Sequence, residues 1–346
     1  MKSLETGYLE KLKYSSGILK SIKALGEYKG KEELYSKQSP DILGKLLENA
    51  VVESAECSNK IEGIIAPHNR IENIVRRGSK PRNRPEQEIA GYRDVLNLIH
   101  QSHGDMPLNE NVILQFHAML YRYTAVRAGF FKKMDNEIVD KHPDGTITVR
   151  FKPVIAFKTP EYMNQTVCLY NRYAEDETYE ALITIPLFVF DFLCIHPFKD
   201  GNGRIARLLT LLLMYQAGHN VGKYISLERI IEQSRDSYYD SLAASSKGWH
   251  AGRHDIFPWI DYFHGILLAA YKEFESRVGV FKKISSKTEH VKDAIGRLIK
   301  PFSIIDIENA CPNVSRDMIR KVLRELRDQG IISATSMGRG AKWVKK

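Results

Sequence analysis

The 346-residue chain has only four cysteines, Cys57, Cys168, Cys194 and Cys311, scattered without a Cys-x-x-Cys pair or a histidine at ligand spacing. That excludes a disulfide framework and a zinc site and leaves four isolated thiols, read here as buried. Long apolar runs are missing as well. The most apolar stretch, Ala181 to Ile195, is interrupted by Pro186 and Asp191 and falls short of the ~20 residues that cross a bilayer. The opening residues, Met-Lys-Ser-Leu-Glu-Thr, lack the apolar centre of a secretory signal, so a cytoplasmic location and no membrane partner are expected. Acid is also in short supply, with 42 Asp and Glu against 51 Lys and Arg and a formal charge of +9. The excess is uneven: residues 287–346 hold 13 basic against 7 acidic side chains, which points to an acidic partner for that end. At 43% hydrophobic and 27% charged residues, the composition is that of a globular chain with core enough for two or three domains.

The densest chemistry lies in the twelve residues His196-Pro-Phe-Lys-Asp-Gly-Asn-Gly-Arg-Ile-Ala-Arg207. A neutral imidazole takes a proton from a nucleophile near pH 7. Asp200 is the kind of carboxylate that holds Mg²⁺ together with phosphate oxygens. Gly201 and Gly203 flank Asn202 and permit the backbone to turn its N–H groups toward an anion at the start of the following apolar helix. Arg204 and Arg207, three apart on that helix, can grip phosphate oxygens as planar forks. Base, metal ligand, anion cradle and guanidiniums together suggest a nucleotide site.

This segment resembles the signature of the Fic family, H-x-F-x-D/E-G-N-G-R-x-x-R, at every defined position. The resemblance implies a mostly helical core that moves AMP from ATP to a protein Ser, Thr or Tyr hydroxyl, with the protein itself as one candidate target. It implies His196 as base, Asp200 as Mg²⁺ ligand, Gly201, Asn202 and Gly203 as the α/β-phosphate cradle, and Arg204 and Arg207 as clamps for the other phosphates. Retention of both glycines favours AMP transfer over phosphorylation. Ser58-Asn59-Lys60-Ile61-Glu62-Gly63 fits the family's inhibitory motif, S/T-x-x-x-E-G/N, so Ser58, Glu62 and Gly63 are expected to form a brake. Its glutamate would pair with Arg207 and occupy the place of the γ-phosphate. Glu62 also admits a rival reading, in which it positions a water for removal of AMP.

Along the chain, residues 1–38 carry Lys, Gly and Ser without strong periodicity and are expected to be an N-terminal arm, packed on the body or mobile. Residues 39–110 should hold N-terminal helices, one capped by Ser39 with Pro40 at its first position and running to Gly63. Pro81 to Pro85 reads as a loop and Glu86 to His100 as an amphipathic helix. The catalytic core is expected over residues 111–275. Within it, Ile138-Val139 and Thr146 to Val149 flank the turn residues His142 to Gly145 and predict a β-hairpin; in the Fic family such a flap clamps the target segment. The helix Ile205 to Tyr215 should be buried and end at Gly218. Tyr238 and Tyr239 read first as packing; the resemblance makes Tyr239 a candidate wall of the adenine pocket.

Residues 287–346 predict a helix through Val291, Ala294, Ile295 and Leu298, a helix capped by Ser303, a turn at Pro312-Asn313, and a third helix, Arg316 to Gln329, capped by Ser315 and ended by Gly330. Ile331 to Thr335 and Lys342 to Val344, joined at Gly338 to Gly340, complete a wing. The pattern resembles winged helix-turn-helix domains, which implies DNA as a partner through Arg316, Arg320, Lys321, Arg324 and Arg327, with a protein-interaction module as the alternative. The fold class expected is therefore a mostly α Fic-type core with a β-hairpin flap and a C-terminal winged-helix domain. A DNA-binding regulator whose core only senses nucleotide is a rival from another class, and His196 argues against it because sensing needs no base. A homodimer is also open.

Overall fold

A computed structural model of the chain describes all residues except Met1, Ser39, 142–145, 177–178, 299–300, Asn313, 336–340 and Lys346. It divides into two compact units, Met1–Phe274 and Glu275–Lys346. The first is helical, with elements α1 (Thr6–Leu9), α2 (Ser16–Gln38), α3 (Pro40–Ile61), α4 (His68–Arg77), α5 (Arg84–Ser102) and α6 (Glu110–Leu120). A hairpin, β1 (Ile138–Lys141) and β2 (Ile147–Phe151), precedes α7 (Thr159–Glu175), α8 (Ala181–Ile195), α9 (Asn202–Gln216), α10 (Leu227–Gln233) and α11 (Arg235–Ser246). Helix α12 (Phe257–Arg297) contains the point at which the units divide.

The centre of the first unit is α8, in which every residue from Leu182 to Ile195 is buried. A helix that is apolar on all sides has to be enclosed, and α7 and α9 pack against it. Pro186 lies inside this helix and has no N–H to give to the carbonyl of Leu182. His264 of α12 supplies that donor through Nε2 at 2.9 Å, and Trp259 Nε1 donates to the Pro186 carbonyl at 2.9 Å. The first bond satisfies a backbone carbonyl that would otherwise be buried and unpaired.

Helix α5 starts two residues earlier than the sequence predicts, because Asn83 caps it, accepting from Glu86 N at 3.0 Å, with Pro85 in the first turn. Gly91 lets α5 approach α6: a Cβ there would collide with the Leu120 carbonyl. The expected N-terminal arm is instead largely helical. In α2, Ile18 and Leu25 are buried, and Glu32, also buried, accepts hydrogen bonds from Tyr271 Oη at 3.1 Å and Asn220 N at 3.2 Å. A few apolar positions among many lysines and glycines suffice to dock this helix, which is why its periodicity is weak in the sequence.

The hairpin is antiparallel, pairing Ile138 with Phe151 and Val139 with Val149, so that Arg150 is an extra residue in a bulge. Its predicted turn, His142 to Gly145, lies outside the described residues. In the second unit, α13 (Ile304–Ala310) opens with a reciprocal cap between Ser303 and Asp306, and α14 (Arg316–Asp328) follows. Ser315 stands at the start of α14 in extended conformation without a side-chain cap bond, contrary to the sequence expectation. Gly330, at φ 74°, ends that region with its N–H on Arg327 O. Strands β3 (Ile332–Ala334) and β4 (Trp343–Lys345) pair antiparallel. Val291, Ile295, Phe302, Ile307, Ile319, Val322, Leu323 and Ile332 form this unit's own core. The predicted turns at Asn313 and at Gly338 to Gly340 lie outside the described residues, as does the Ser39 cap.

Candidate active site

Helix α8 ends at His196, whose φ of 51° and ψ of 61° make it the only non-glycine residue with positive φ among the described residues. A strained backbone at this point turns the chain sharply into the loop 197–201 and holds the imidazole at the rim of a cavity of about 520 Å³. His196 Nδ1 lies 3.2 Å from the Leu193 carbonyl, which can only accept. Nδ1 therefore carries the proton, and Nε2 keeps its lone pair when the ring is neutral. Burial, reinforced by the Lys132 charge and opposed by the Leu193 carbonyl, depresses its pKa to about 4, so the ring is an unprotonated acceptor at neutral pH.

The loop is shaped by side chains that point inward. Asn202, buried, accepts from Phe198 N and donates to Phe198 O, both at 2.8 Å, and so closes the loop on itself. Its amide is spent on the loop's backbone; what it offers an anion is its place in the first turn of α9. Gly201, at φ 85°, precedes that turn. The first amides of α9 have no intrahelical acceptor and carry the helix's partial positive charge. Gly203 lines the cavity, and a Cβ there would run into the Glu62 carboxylate. Asp200 is exposed at its carboxylate, which accepts from Gly201 N at 2.7 Å. Burial raises its pKa, but Arg204 and a Tyr121 hydrogen bond together hold it below the usual range, so it is anionic.

The two signature arginines diverge. Arg204 is fully buried and donates to Glu88 Oε2 at 2.7 Å, Tyr121 Oη at 2.7 Å and Asn59 Oδ1 at 3.2 Å. It fastens α9 to α3, α5 and α6 and presents no exposed fork to the cavity in this conformation. Arg207 donates from Nε to Ser58 Oγ at 2.8 Å, and from Nη2 to Ser58 O at 2.9 Å and Glu62 Oε1 at 2.8 Å. Its Nη1 is buried with no partner. Burial disfavours the Arg207 charge, and the Glu62 carboxylate, with Tyr238 and Tyr92 beside it, more than offsets this, raising its pKa.

Glu62 owes its position to Gly63. Helix α3 ends at Ile61, and Gly63, at φ 78°, donates to Lys60 O while Ile64 N donates to Asn59 O, both at 3.0 Å. This is the paired end motif that a left-handed residue makes possible, and it fixes Glu62 at the helix end over Gly203. Ser58, Glu62, His196, Gly203 and Arg207 thus meet at one place, as the motifs predict. Tyr239 also lines the cavity, flanked by the guanidiniums of Arg150 at 5.1 Å and Arg235 at 5.6 Å, as does Tyr238, which is otherwise buried against Trp259 and Tyr262.

Several supporting residues were invisible in the sequence. His117 stacks on Phe198 at 3.8 Å; its Nδ1 accepts from Gly129 N, leaving Nε2 to donate to the Asp200 carbonyl at 3.2 Å. Lys132, its pKa lowered to about 8 by burial, donates to Ile195 O and Asn136 Oδ1, and Asn136 donates to Phe198 O. These contacts brace both sides of the loop. No short spacing connects these residues to the signature, so local pattern could not reveal them.

Residues 107–214 match the model of the Fic/DOC family. The chain carries a Fic/DOC-family domain. Over 101 residues, 28% of this chain, it is 31% identical to a Fido domain-containing protein of Dictyostelium discoideum, of whose length it spans 66%. A Fic family protein from Desulfovibrio desulfuricans superposes with TM-score 0.66 at 19% identity, covering 97% of both chains. A Fic domain-containing signalling protein of Bacteroides thetaiotaomicron gives 0.60 at 20% identity, over 75% of this chain and 97% of the other. These structural likenesses establish a shared fold. The Fic/DOC domain spans α6 to α9 with the hairpin, while Glu62 and Glu88 reach it from outside the matched segment. Among the described residues no helix is long and apolar enough to cross a membrane.

Proposed function

We propose that the chain is a protein nucleotidyltransferase that moves AMP from ATP to a protein hydroxyl and is restrained by Glu62. Proteins with a Fic domain often transfer a nucleoside monophosphate to other proteins. The observation that carries the reading here is the Nδ1-protonated, neutral His196 at the rim of a cavity that is also lined by Gly203, in the first turn of α9, and by Glu62, which holds Arg207 behind it. A volume of about 520 Å³ lies in the range of small-ligand sites. The unpartnered Arg207 Nη1 is a donor in want of an acceptor, which a phosphate oxygen would supply.

In this mechanism His196 Nε2 accepts the proton of the target hydroxyl as its oxygen attacks the α-phosphorus of ATP. The bond from that phosphorus to the bridging oxygen breaks, and pyrophosphate leaves with the electron pair. Amides at the start of α9 face the developing negative charge. Mg²⁺ would be held by Asp200, whose anionic, exposed carboxylate suits an ion that takes its remaining ligands from phosphate and water. Among the described residues no group of three or more His, Cys, Asp and Glu forms a protein-only metal cage. When bound, the ion neutralises phosphate charge.

The test is incubation of the Glu62→Gly variant with ATP labelled at either the α- or the γ-phosphate. Incorporation from the α position only, abolished by His196→Ala, is the expected result. Incorporation from the γ position would make the protein a kinase instead. Release of AMP from a modified protein, retained by the native chain and lost with Glu62→Gly, would favour hydrolytic removal of AMP, with Glu62 holding the water.

A second reading applies to the other unit. Glu275–Lys346 holds sixteen Lys and Arg against eight Asp and Glu, +8 of the chain's +9. Its α14 exposes Arg316, Arg320, Lys321, Arg324 and Arg327 beside a two-stranded sheet. This concentration of charge favours duplex DNA as partner, in the manner of a winged helix-turn-helix. No binding to random duplex at low salt would remove the reading.

A further inference from the structure

Lys132 occupies a position that lysine seldom takes. Only 6% of it is exposed, and among the described residues no carboxylate stands within ion-pair distance of its ammonium, whose partners are Ile195 O and Asn136 Oδ1. Taking an ammonium out of water is costly, so a buried lysine is normally paired with an acid. Burial lowers its pKa to about 8, against the pull of Asp135, and the group is still mostly charged at pH 7. Such a cost calls for a compensating task.

What the ammonium meets is the end of α8. The last carbonyls of a helix lack donors within it and carry its partial negative charge. Here the Phe192 carbonyl accepts from His196 N at 2.9 Å, the Leu193 carbonyl from His196 Nδ1 at 3.2 Å, and the Ile195 carbonyl from Lys132 Nζ at 3.2 Å. Lys132 N also donates to Pro197 O at 2.8 Å. One residue therefore grips the backbone on both sides of His196. That is where constraint is needed, because a left-handed backbone in a non-glycine residue, φ 51° and ψ 61°, persists only where its surroundings impose it. The charge acts on the ring as well. Burial dominates the depression of the His196 pKa; of the groups around the ring, Lys132 works in the same direction, whereas the Leu193 carbonyl, Glu62 and Asp200 favour the imidazolium.

We propose that Lys132 is a positioning residue for the transfer: its buried ammonium, acting through the carbonyl of Ile195, holds the backbone turn that aims His196 Nε2 at the target hydroxyl. The inference rests on the transferase reading for the reaction that the base serves, but the positioning is measured without it.

Nitrogen-15 signals of the histidine rings in the full chain, with that of His196 assigned by its loss in His196→Ala, report tautomer and protonation directly. In the native chain at pH 7, His196 should be a single Nδ1-protonated, neutral tautomer. In Lys132→Met, similar in length but without charge or donor, the signal should become a mixture of both tautomers, and its titration should move up toward the ordinary value near ~6.5. Lys132→Arg restores the charge and should recover the native pattern. In the Glu62→Gly background, Lys132→Met should lower kcat for incorporation from α-labelled ATP by about tenfold to a hundredfold, while the Kd for Mg-ATP stays within about twofold, since a misplaced base costs rate and not nucleotide affinity. The native chain gives a further reading that needs no substitution: as pH rises through about 8 and the ammonium loses its proton, the second tautomer should appear. An unchanged His196 signal in a folded Lys132→Met chain overturns the proposal, as does a native signal that stays a single tautomer well above that pH. A Lys132-dependent tautomer in a Glu62→Gly chain that transfers no label would refute the transferase reading and leave the positioning standing.

Discussion

Replacing Glu62 by Gln removes the charge that holds Arg207 while keeping the side chain's shape. The pair is direct, Nη2 to Oε1 at 2.8 Å, with the arginine side chain 4% and the glutamate side chain 31% exposed. A charge-assisted hydrogen bond contributes a net ~1.5–3 kcal/mol. Solvent at the glutamate screens part of this, which brings the usable figure to about 1–2 kcal/mol. A phosphate that competes for the same fork has to displace the carboxylate, so its removal should strengthen productive Mg-ATP binding by roughly 5–30-fold, at ~1.4 kcal/mol per tenfold. Losing the pair also destabilises the fold by about 1–2 kcal/mol, less than breaking a fully buried pair, because Glu62 is partly exposed and Arg207 keeps both Ser58 bonds. Initial rates of label incorporation from α-labelled ATP, measured below saturation, should rise by that factor for Glu62→Gln, and at least as much for Glu62→Gly. A folded variant with an unchanged rate would refute the competition, and a lowered rate would assign Glu62 to catalysis.

Other outcomes follow from the same geometry. Asn202→Ala deletes two buried bonds to the Phe198 backbone and should cost about 2–4 kcal/mol in denaturant unfolding, with transfer falling in parallel; an unchanged midpoint would remove Asn202 as the loop's brace. Glu88→Gln leaves the Arg204 guanidinium buried without its partner charge and should destabilise by roughly 3–5 kcal/mol, read as a clear drop in Tm. His196 acts unprotonated and its pKa is lowered to about 4, so transfer should persist as pH falls through the ordinary histidine range near ~6.5 and decline only as pH approaches 4. A rate that halves near pH 6.5 in an otherwise folded protein would show that the depressed imidazole is not the limiting base.

The site's centre was legible because its residues are local: His196 to Arg207 lie in one loop and one helix turn, and Ser58 to Gly63 in one helix end. The family resemblance implied that Glu62 pairs with Arg207, and Gly63 was marked by the same motif, though its physical task, terminating α3 so that Glu62 is held over Gly203, needed the backbone. What stayed hidden is nonlocal. Glu88 reads as one more charge on an amphipathic helix, yet it is buried and neutralises Arg204 from 116 residues away in the chain. Lys132 and Asn136 sit in a stretch with no periodicity and act through backbone carbonyls, which no residue pattern announces. Helix α2 was missed because docking a lysine-rich helix takes only a few buried contacts, too sparse for a periodic signal. In the second unit the helix starts and the strand pair followed from caps and glycine, with Ser315 the exception in making no side-chain bond.

The central claim is that His196 and the amides of α9 hand a nucleotidyl group to a hydroxyl once Glu62 lets go of Arg207. Intact mass of the Glu62→Gly chain after incubation with Mg-ATP and a hydroxyl-bearing target tests it most directly. Addition of one adenylyl group to either protein, missing when His196 is also changed to Ala, is the expected result. Masses that stay unchanged in a folded, nucleotide-binding variant, or that grow by a phosphoryl group, would contradict it.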